Sequence, residues 1–505
     1  MTELLEFGKL VLVVAAGFSL ALASTALSAR FPLPRPAIFL FAAALASDLF
    51  PSLAEHVSIR EVERIGVVAL IVILFDGGLH VGWRRFRASA AEIVSLGLVG
   101  TFATAGLMAL AVHWLFGFSW IAAGILGAAL APTDPAVTFS VLGNREVGGR
   151  SGTILEGESG VNDPVGIALM VGMLELARHH DASFAIVVRE FSIELAVGLA
   201  IGLAGAFLLL PLLRRPLPNE GLYPLRTLAA AGTIYGTAAV AHGSGFLAVF
   251  VAGLIVGDAR APYKAEIERF HNSLANLAEI VVFVALGLTI DLTDLGANHL
   301  WLDGLLLALI LALLARPLIT GALLLPLSLR PGERLFVMWG GLKGAVPILL
   351  AALALLAGVD DARRLYAIVF VVVAFSVLVQ GTSIPLVAAK TGVPLRLVEP
   401  EPWSISIGLR HEPRGVLRFI VAPGSRAEGT TIRELPLGER AWVSLVIRDG
   451  EARQARGSHT FAPGDEVLVL TDTPHAPALR RLFERPDAAR DAQQTEPQRR
   501  SASLE

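Results

Sequence analysis

Apolar residues along this chain come in long blocks separated by short polar connectors. Up to residue 390 the blocks run to about 18 residues or more, long enough to cross about 30 Å of hydrocarbon as helices. The pattern predicts about thirteen spans, near 7–27, 33–50, 65–82, 93–115, 118–142, 151–175, 190–213, 222–241, 245–258, 272–290, 301–325, 334–357 and 365–388. From Glu399 the pattern becomes polar and alternating. "GVLRFIVAPGS", "AWVSLVIRDGEA" and "DEVLVLTDT" read as strands, with "RDG" as a hairpin turn and "GTTIRELPLGER" as a short helix, in the order β-α-β-β-β. The prediction is an all-α polytopic membrane domain over 1–395, a small α+β cytoplasmic domain over 403–484, and a disordered polar tail over 485–505.

Two spans are interrupted. "APTDPAV" (131–137) breaks the fifth and "GGLKGAVP" (340–347) breaks the twelfth, with proline or clustered glycine where a helix would lose backbone bonds. Unwound backbone at membrane depth is tolerated only where protein buries it or it lines a watery cavity. With thirteen spans, the first six and last six have opposite orientation, so the two broken spans correspond. Paired interruptions in inverted repeats point to a transporter's substrate site.

Composition supports the division: 54% of residues are hydrophobic, 17% are charged, and the mean hydropathy is +0.66. With no cysteine, disulfides and thiol chemistry are excluded. The net charge of -3 identifies no partner, and nothing points to nucleic acid or to a cofactor. The N-terminal run has no basic segment and no small-residue cleavage site, so it is expected to be a span rather than a signal peptide. Arg84, Arg85, Arg87, Arg145, Arg150, Arg214, Arg215, Arg330 and Arg334 fall in connectors on one side. The opposite side is poorer in Lys and Arg. That bias places the N-terminus outside and the C-terminal domain in the cytoplasm.

"GESGVNDP" (157–164) sets ionisable groups inside the sixth span. At 1.5 Å per residue, Asp163 lies about 18 Å in, and Asp134 in the fifth-span break lies about 24 Å from the other face. Thr133, Asp134, Ser159, Asn162 and Asp163 can therefore converge as hard-oxygen ligands suited to a monovalent metal cation. A carboxylate at that depth must be neutralised, either by a proton or by a bound cation. If the two compete for Asp163, one residue couples two fluxes. The bland alternative is a helix cap paired permanently with a base. Glu158 and Arg316 ("LLARPL") sit at matching depth and are expected to form a structural ion pair. Lys343, in the second break, either offsets freed carbonyls or gates the cavity. Asp76 ("LFDGGL") either lines an access funnel or pairs with Arg84. Glu194 and Glu279 face either a subunit interface or the cavity.

These motifs resemble those of cation/proton antiporters of the NhaP and sodium/proton exchanger type. "GESGVNDP" resembles the Glu-Ser-x-x-Asn-Asp signature, "PTDPAV" the Thr-Asp-Pro of the first broken helix, and "LLARPL" the helix whose arginine meets the signature glutamate. "GGLKGAVPILLA" resembles the Gly-Leu-Arg-Gly-Ala motif, with Lys343 where the family usually has arginine. "GLYPLRTLAAAG" and "HGSGFLAVFVAGLIVGD" resemble the potassium/proton branch. The resemblance covers about residues 5–395. It implies Asp163 as the ion- and proton-carrying residue, with Asn162, Thr133 and Asp134 beside it. It also implies a Glu158–Arg316 structural pair, potassium in preference to sodium, and electroneutral exchange. Residues 403–472 resemble a TrkA-C domain through "GTTIRELPL", "VIRDGE" and "PGDEVLVL", which implies a homodimer and a small-molecule ligand. No glycine-rich dinucleotide fingerprint precedes it, so NAD is not expected.

Two rivals remain. Ser159 in "GESG" and His242 in "AHGSG" look like the pair of an intramembrane serine protease, but their predicted depths put them at opposite sides of the membrane. A cation channel would need no protonatable group at its centre.

Overall fold

The computed structural model describes residues 34–49, 58–142, 145–147, 150–178, 184–259, 261–297, 299–327, 329–393, 395–397, 415–437, 441–448, 451–471 and 476–484. The expected span at 7–27 and the expected tail at 485–505 lie outside them. The chain divides into two compact units, Met1–Pro400 and Glu401–Glu505.

The first unit is helical. In chain order the elements are α1 (Arg35–Leu49), α2 (Ile59–Ala88), α3 (Ala90–Val94) and α4 (Thr101–Phe116). Then come α5 (Trp120–Leu130), α6 (Pro135–Leu142), β1 (Arg145–Val147), α7 (Arg150–Arg178), α8 (Ala185–Leu213), α9 (Leu222–Val240), α10 (Gly245–Gly257), α11 (Lys264–Gly287) and α12 (Leu292–Ala297). The unit closes with α13 (Leu300–Ile310), α14 (Arg316–Leu324), α15 (Pro331–Gly340), α16 (Ala345–Leu356), α17 (Ala362–Phe375), α18 (Thr382–Thr391) and β2 (Leu395–Leu397). Among the described residues, 8 helical stretches are long and apolar enough to cross a membrane. The chain is a multi-pass membrane protein.

Local chemistry sets the ends. Ser58 and Glu61 form a reciprocal capping box that starts α2. Ser119 caps α5 and Ser244 caps α10 through their hydroxyls. Gly82, at φ 65°, kinks α2 near its end, where only glycine sits without strain. Helices α2 and α10 press backbone to backbone. A methyl group at Gly78 would lie 2.6 Å from the Phe250 carbonyl, and one at Gly253 would lie 2.6 Å from the Phe75 carbonyl. Small residues permit such approach where lipid supplies no hydrophobic drive between helices. The strands β1 and β2 pair antiparallel, with Glu146 opposite Arg396.

Among the described residues, three π-helical turns interrupt the bundle: Ser95–Gly100 between α3 and α4, Leu311–Ala315 before Arg316, and Ser376–Gly381 between α17 and α18. Such turns often mark functional sites.

The second unit holds β3 (Gly415–Ile420), β4 (Ala441–Arg448), β5 (Glu451–Gln454), β6 (Glu466–Thr471) and α19 (Ala476–Phe483). Its sheet is antiparallel in the order β3-β6-β4-β5. Phe419, Val446, Phe461, Val467, Val469 and Phe483 form its core. One expectation fails here. "GTTIRELPLGER" was expected to be helical, but its described residues are turns. The Glu434 carboxylate accepts from Thr431 N–H and Oγ1, which begins one turn. Pro436 follows too closely for it to extend. The helix of this unit is instead α19.

Candidate functional site

The two expected breaks are non-helical at residues 131–134 and 341–344, and they meet. The Asp134 N–H donates to the Leu342 carbonyl at 2.7 Å, and Thr138 Oγ1 donates to the Gly340 carbonyl at 2.9 Å. The crossing brings four helix ends together, and helix ends carry opposite partial charges. Lys343 Nζ donates to the Ala131 and Pro132 carbonyls at 2.9 and 2.8 Å, just past the C-terminus of α5. Asp134 stands at the N-terminus of α6. A methyl group on Gly344, which precedes α16, would collide with its carboxylate. A cation thus faces a negative helix end, and an anion faces positive ones. Lys343 therefore bonds two of the carbonyls freed at the first break.

Helix α7 runs past this crossing with its polar residues buried. Asn162 Nδ2 donates to Thr133 Oγ1 at 2.7 Å, and its Oδ1 accepts the Thr133 N–H at 3.3 Å. Ser159 Oγ donates to Asp163 Oδ2 at 3.3 Å. Asp163 is 5% exposed, and its Oδ1 accepts no hydrogen bond. Pro164 lacks an N–H, so the Gly160 carbonyl loses its helical partner one turn away.

Glu158, five residues before Asp163, has the opposite situation. Its two oxygens take Nη1 and Nη2 of Arg316, the latter at 2.9 Å. Arg316 also donates to the Met338 and Val337 carbonyls at the end of α15, both at 3.3 Å. A methyl group at Gly341 would overlap the guanidinium. The π turn before α14 delivers Arg316 to this place.

Asp76 lies on α2. Its carboxylate pairs with His80, one turn on, at 3.3 Å. Arg84, one of the alternatives offered for Asp76, gives its backbone N–H to Asp258 at 2.6 Å. Glu279 has one buried oxygen without a partner. Ser159 is bonded to Asp163, whereas His242 follows α9 in a turn with φ 56°. Among the described residues no hydrogen bond joins the two.

Sequence reasoning overlooked Ser376, whose Oγ accepts the Lys343 N–H at 2.8 Å from the third π turn. It also overlooked Thr138 and His80. Threonine at the fourth residue of a half-helix beside a break was a usable signal. The π turns left none.

Comparison with known proteins decides what kind of molecule carries this arrangement. Residues 17–390 match the transmembrane family "Sodium/hydrogen exchanger". The chain belongs to the sodium/hydrogen exchanger family. This exchanger is accordingly a secondary transporter and not an enzyme, and the protease reading is not favoured. Residues 416–484 match the TrkA-C domain. The exchanger is 33% identical over 474 residues to the K(+)/H(+) antiporter NhaP of Alkalimonas amylolytica, covering 93% of this chain and 82% of that one. It is 31% identical to the K(+)/H(+) antiporter NhaP2 of Shewanella sp. (strain ANA-3), covering 90% and 80%. Its fold resembles the sodium proton antiporter MjNhaP1 of Methanocaldococcus jannaschii, with a TM-score of 0.64 at 20% identity, covering 78% of this chain and 100% of that one.

Proposed function

We propose that this exchanger moves a monovalent cation against protons through competition of the two for Asp163. One observation carries the reading. Asp163 is a nearly fully buried carboxylate beside two unwound helices, with one oxygen bonded only by Ser159 and the other without a hydrogen bond. A buried acceptor left open is costly unless something else fills it, and a proton and a cation both can. Thr133, Asn162, Asp134, Ser159 and the freed Gly160 carbonyl supply further oxygens. Lys343 and the Glu158–Arg316 pair hold the unwound segments in place.

Potassium is favoured over sodium as the cargo, supported by the names of the relatives from Alkalimonas and Shewanella. One carboxylate preceded by Asn162 supports one-for-one, electroneutral exchange. The paired breaks support two inverted six-helix repeats within about thirteen spans. The Lys and Arg bias supports an N-terminus outside, in the cell membrane, with a cytoplasmic TrkA-C domain. That domain is proposed to dimerise and to read a small ligand.

The test uses purified protein in sealed liposomes with a lumenal pH dye. Adding potassium, sodium or lithium separately should move protons most strongly with potassium, and dissipating the membrane voltage should not change the rate. Proton movement with none of the three cations would overturn the assignment.

A further inference from the structure

Helix α2 holds a second group with unspent hydrogen-bonding capacity. Asp76 is 7% exposed and its Oδ1 has no partner. His80 Nδ1 lies 3.3 Å from Asp76 Oδ2 and 3.0 Å from the Asp76 backbone carbonyl. Both neighbours of that nitrogen are acceptors, so Nδ1 carries a hydrogen in either charge state of the ring. Nε2 is then the nitrogen that gains or loses a proton, and the His80 side chain is 45% exposed. The pair therefore joins a partly exposed ring to a buried carboxylate.

Helix α7 continues the line. Glu156, Ser159 and Asp163 stand at i, i+3 and i+7, on one helix face. Glu156 belongs to α7, which packs against α2, and Ser159 is already bonded to Asp163. From Glu156 to Asp163 the helix rises about 10 Å. On the helices packed against α2 and at their ends, Lys264, Asp258 and His271 each make at least one bond of their own. On α11, Lys264 donates to the Val256 carbonyl and pairs with Glu268. Asp258, at the end of α10, takes the Arg84 N–H. His271, fully buried on α11, bonds Thr227 through Nε2 and packs its ring on Phe75, with Nδ1 unpartnered.

We propose that His80 and Asp76 form a proton-exchange station that serves Asp163 from the side of the membrane where Arg84, Arg85 and Arg87 lie. His80 exchanges a proton between Nε2 and water, and Asp76 holds the imidazolium. The proton passes between the station and Asp163 along the Glu156–Ser159 face. Only N–H and O–H bonds are made and broken. The proposal rests on Asp163 as the exchange site and adds that proton traffic is sided.

The experiment measures potassium-driven exchange in liposomes of defined orientation, varying pH on one face at a time. In the wild type, the pH on the His80 face sets the rate with its own midpoint. His80→Gln retains a polar side chain that does not titrate. It should flatten that response or move its midpoint by about one pH unit, a tenfold change in proton concentration, and leave the response to pH on the opposite face unchanged. If His80→Gln fails to insert, His80→Arg keeps a positive partner for Asp76 without a titration near neutrality, and should flatten the same response. Wild-type pH responses on both faces in the variant that inserts would overturn the proposal. An equal shift on both faces would also overturn it. Failure of the Asp163 reading looks different, because Asp163→Asn would then still exchange.

Discussion

Glu158 and Asp163 sit one and a half turns apart on the same helix, at 1% and 5% exposure, and the protein treats them in opposite ways. Glu158 has both oxygens committed to a guanidinium that is itself held by two carbonyls. Asp163 has one hydroxyl partner and one open oxygen. A buried charge that is fully paired gains little from further ligands, and breaking it is expensive. A buried charge left short of partners must take a proton or a cation from outside. On the proposed reading, the contrast is that between a brace and a binding site.

The largest effect should come from removing the open carboxylate. Asp163→Asn keeps an acceptor for Ser159 but removes the charge, so cation-driven proton movement should fall to the background of empty liposomes. Thermal stability should be retained, since no ion pair is lost. Normal exchange by this variant, or a collapse of its melting temperature, would erase the distinction from Glu158.

The brace should fail in the other way. Glu158→Gln or Arg316→Met leaves a buried charge unpaired, at a cost of about 3–5 kcal/mol. The double variant should recover part of that loss, because neither charge remains. Thermal unfolding in detergent of the two singles and the double gives the coupling. Strictly additive losses would show that the two side chains do not act as a pair.

Much of this contrast was legible before the fold was known. Pro132 and Pro135 remove backbone donors and the glycines at 340, 341 and 344 disfavour helix, so both breaks were visible as local chemistry. The depth of Glu158 and Arg316 followed from counting residues at helical rise. What composition could not show was how the breaks cross. The bonds from Lys343 to the Ala131 and Pro132 carbonyls join residues 211 or more apart in sequence. The π turn that brings Ser376 to Lys343 is a backbone choice with no side-chain signature. In the second unit, "GTTIRELPLGER" read as a short helix, yet Pro436 keeps the turn at Thr431 and Glu434 from extending. The eight residues of α19 were too few to show a helical period.

A finer test asks whether the open oxygen is shared by the two ions. If proton and cation compete for Asp163, the apparent cation affinity must weaken as the site fills with protons. Below its titration range each pH unit should cost about tenfold in affinity, about 1.4 kcal/mol. The maximal rate at saturating cation should change less. An apparent affinity independent of pH over several units would mean that the ions use different groups.

The smallest expected effect lies in the TrkA-C domain, where Asp465 repeats the logic of Glu158 in water. Asp465 is 1% exposed, and burial alone would raise its carboxyl above the ordinary range. The Arg448 bonds at 2.6 and 2.7 Å, the Ala462 N–H at 2.8 Å and the charge of nearby His459 outweigh burial and hold it below. A carboxyl lowered in the folded state stabilises that state most fully above its unfolded value of about 3.9. That contribution disappears as pH falls through the lowered folded value. The domain should therefore resist acid down to below about pH 4 and then loosen. Arg448 is partly exposed, so solvent screening keeps the gain modest. Arg448→Gln removes the charge that lowers Asp465, so the onset of loosening should move to higher pH while behaviour at neutrality changes less. Pepsin, active in acid, reports this in the full chain by the pH at which residues 415–484 become cleavable. Cleavage of wild type and Arg448→Gln beginning at the same pH would show that this pair, unlike Glu158 and Arg316, contributes nothing to holding its domain together.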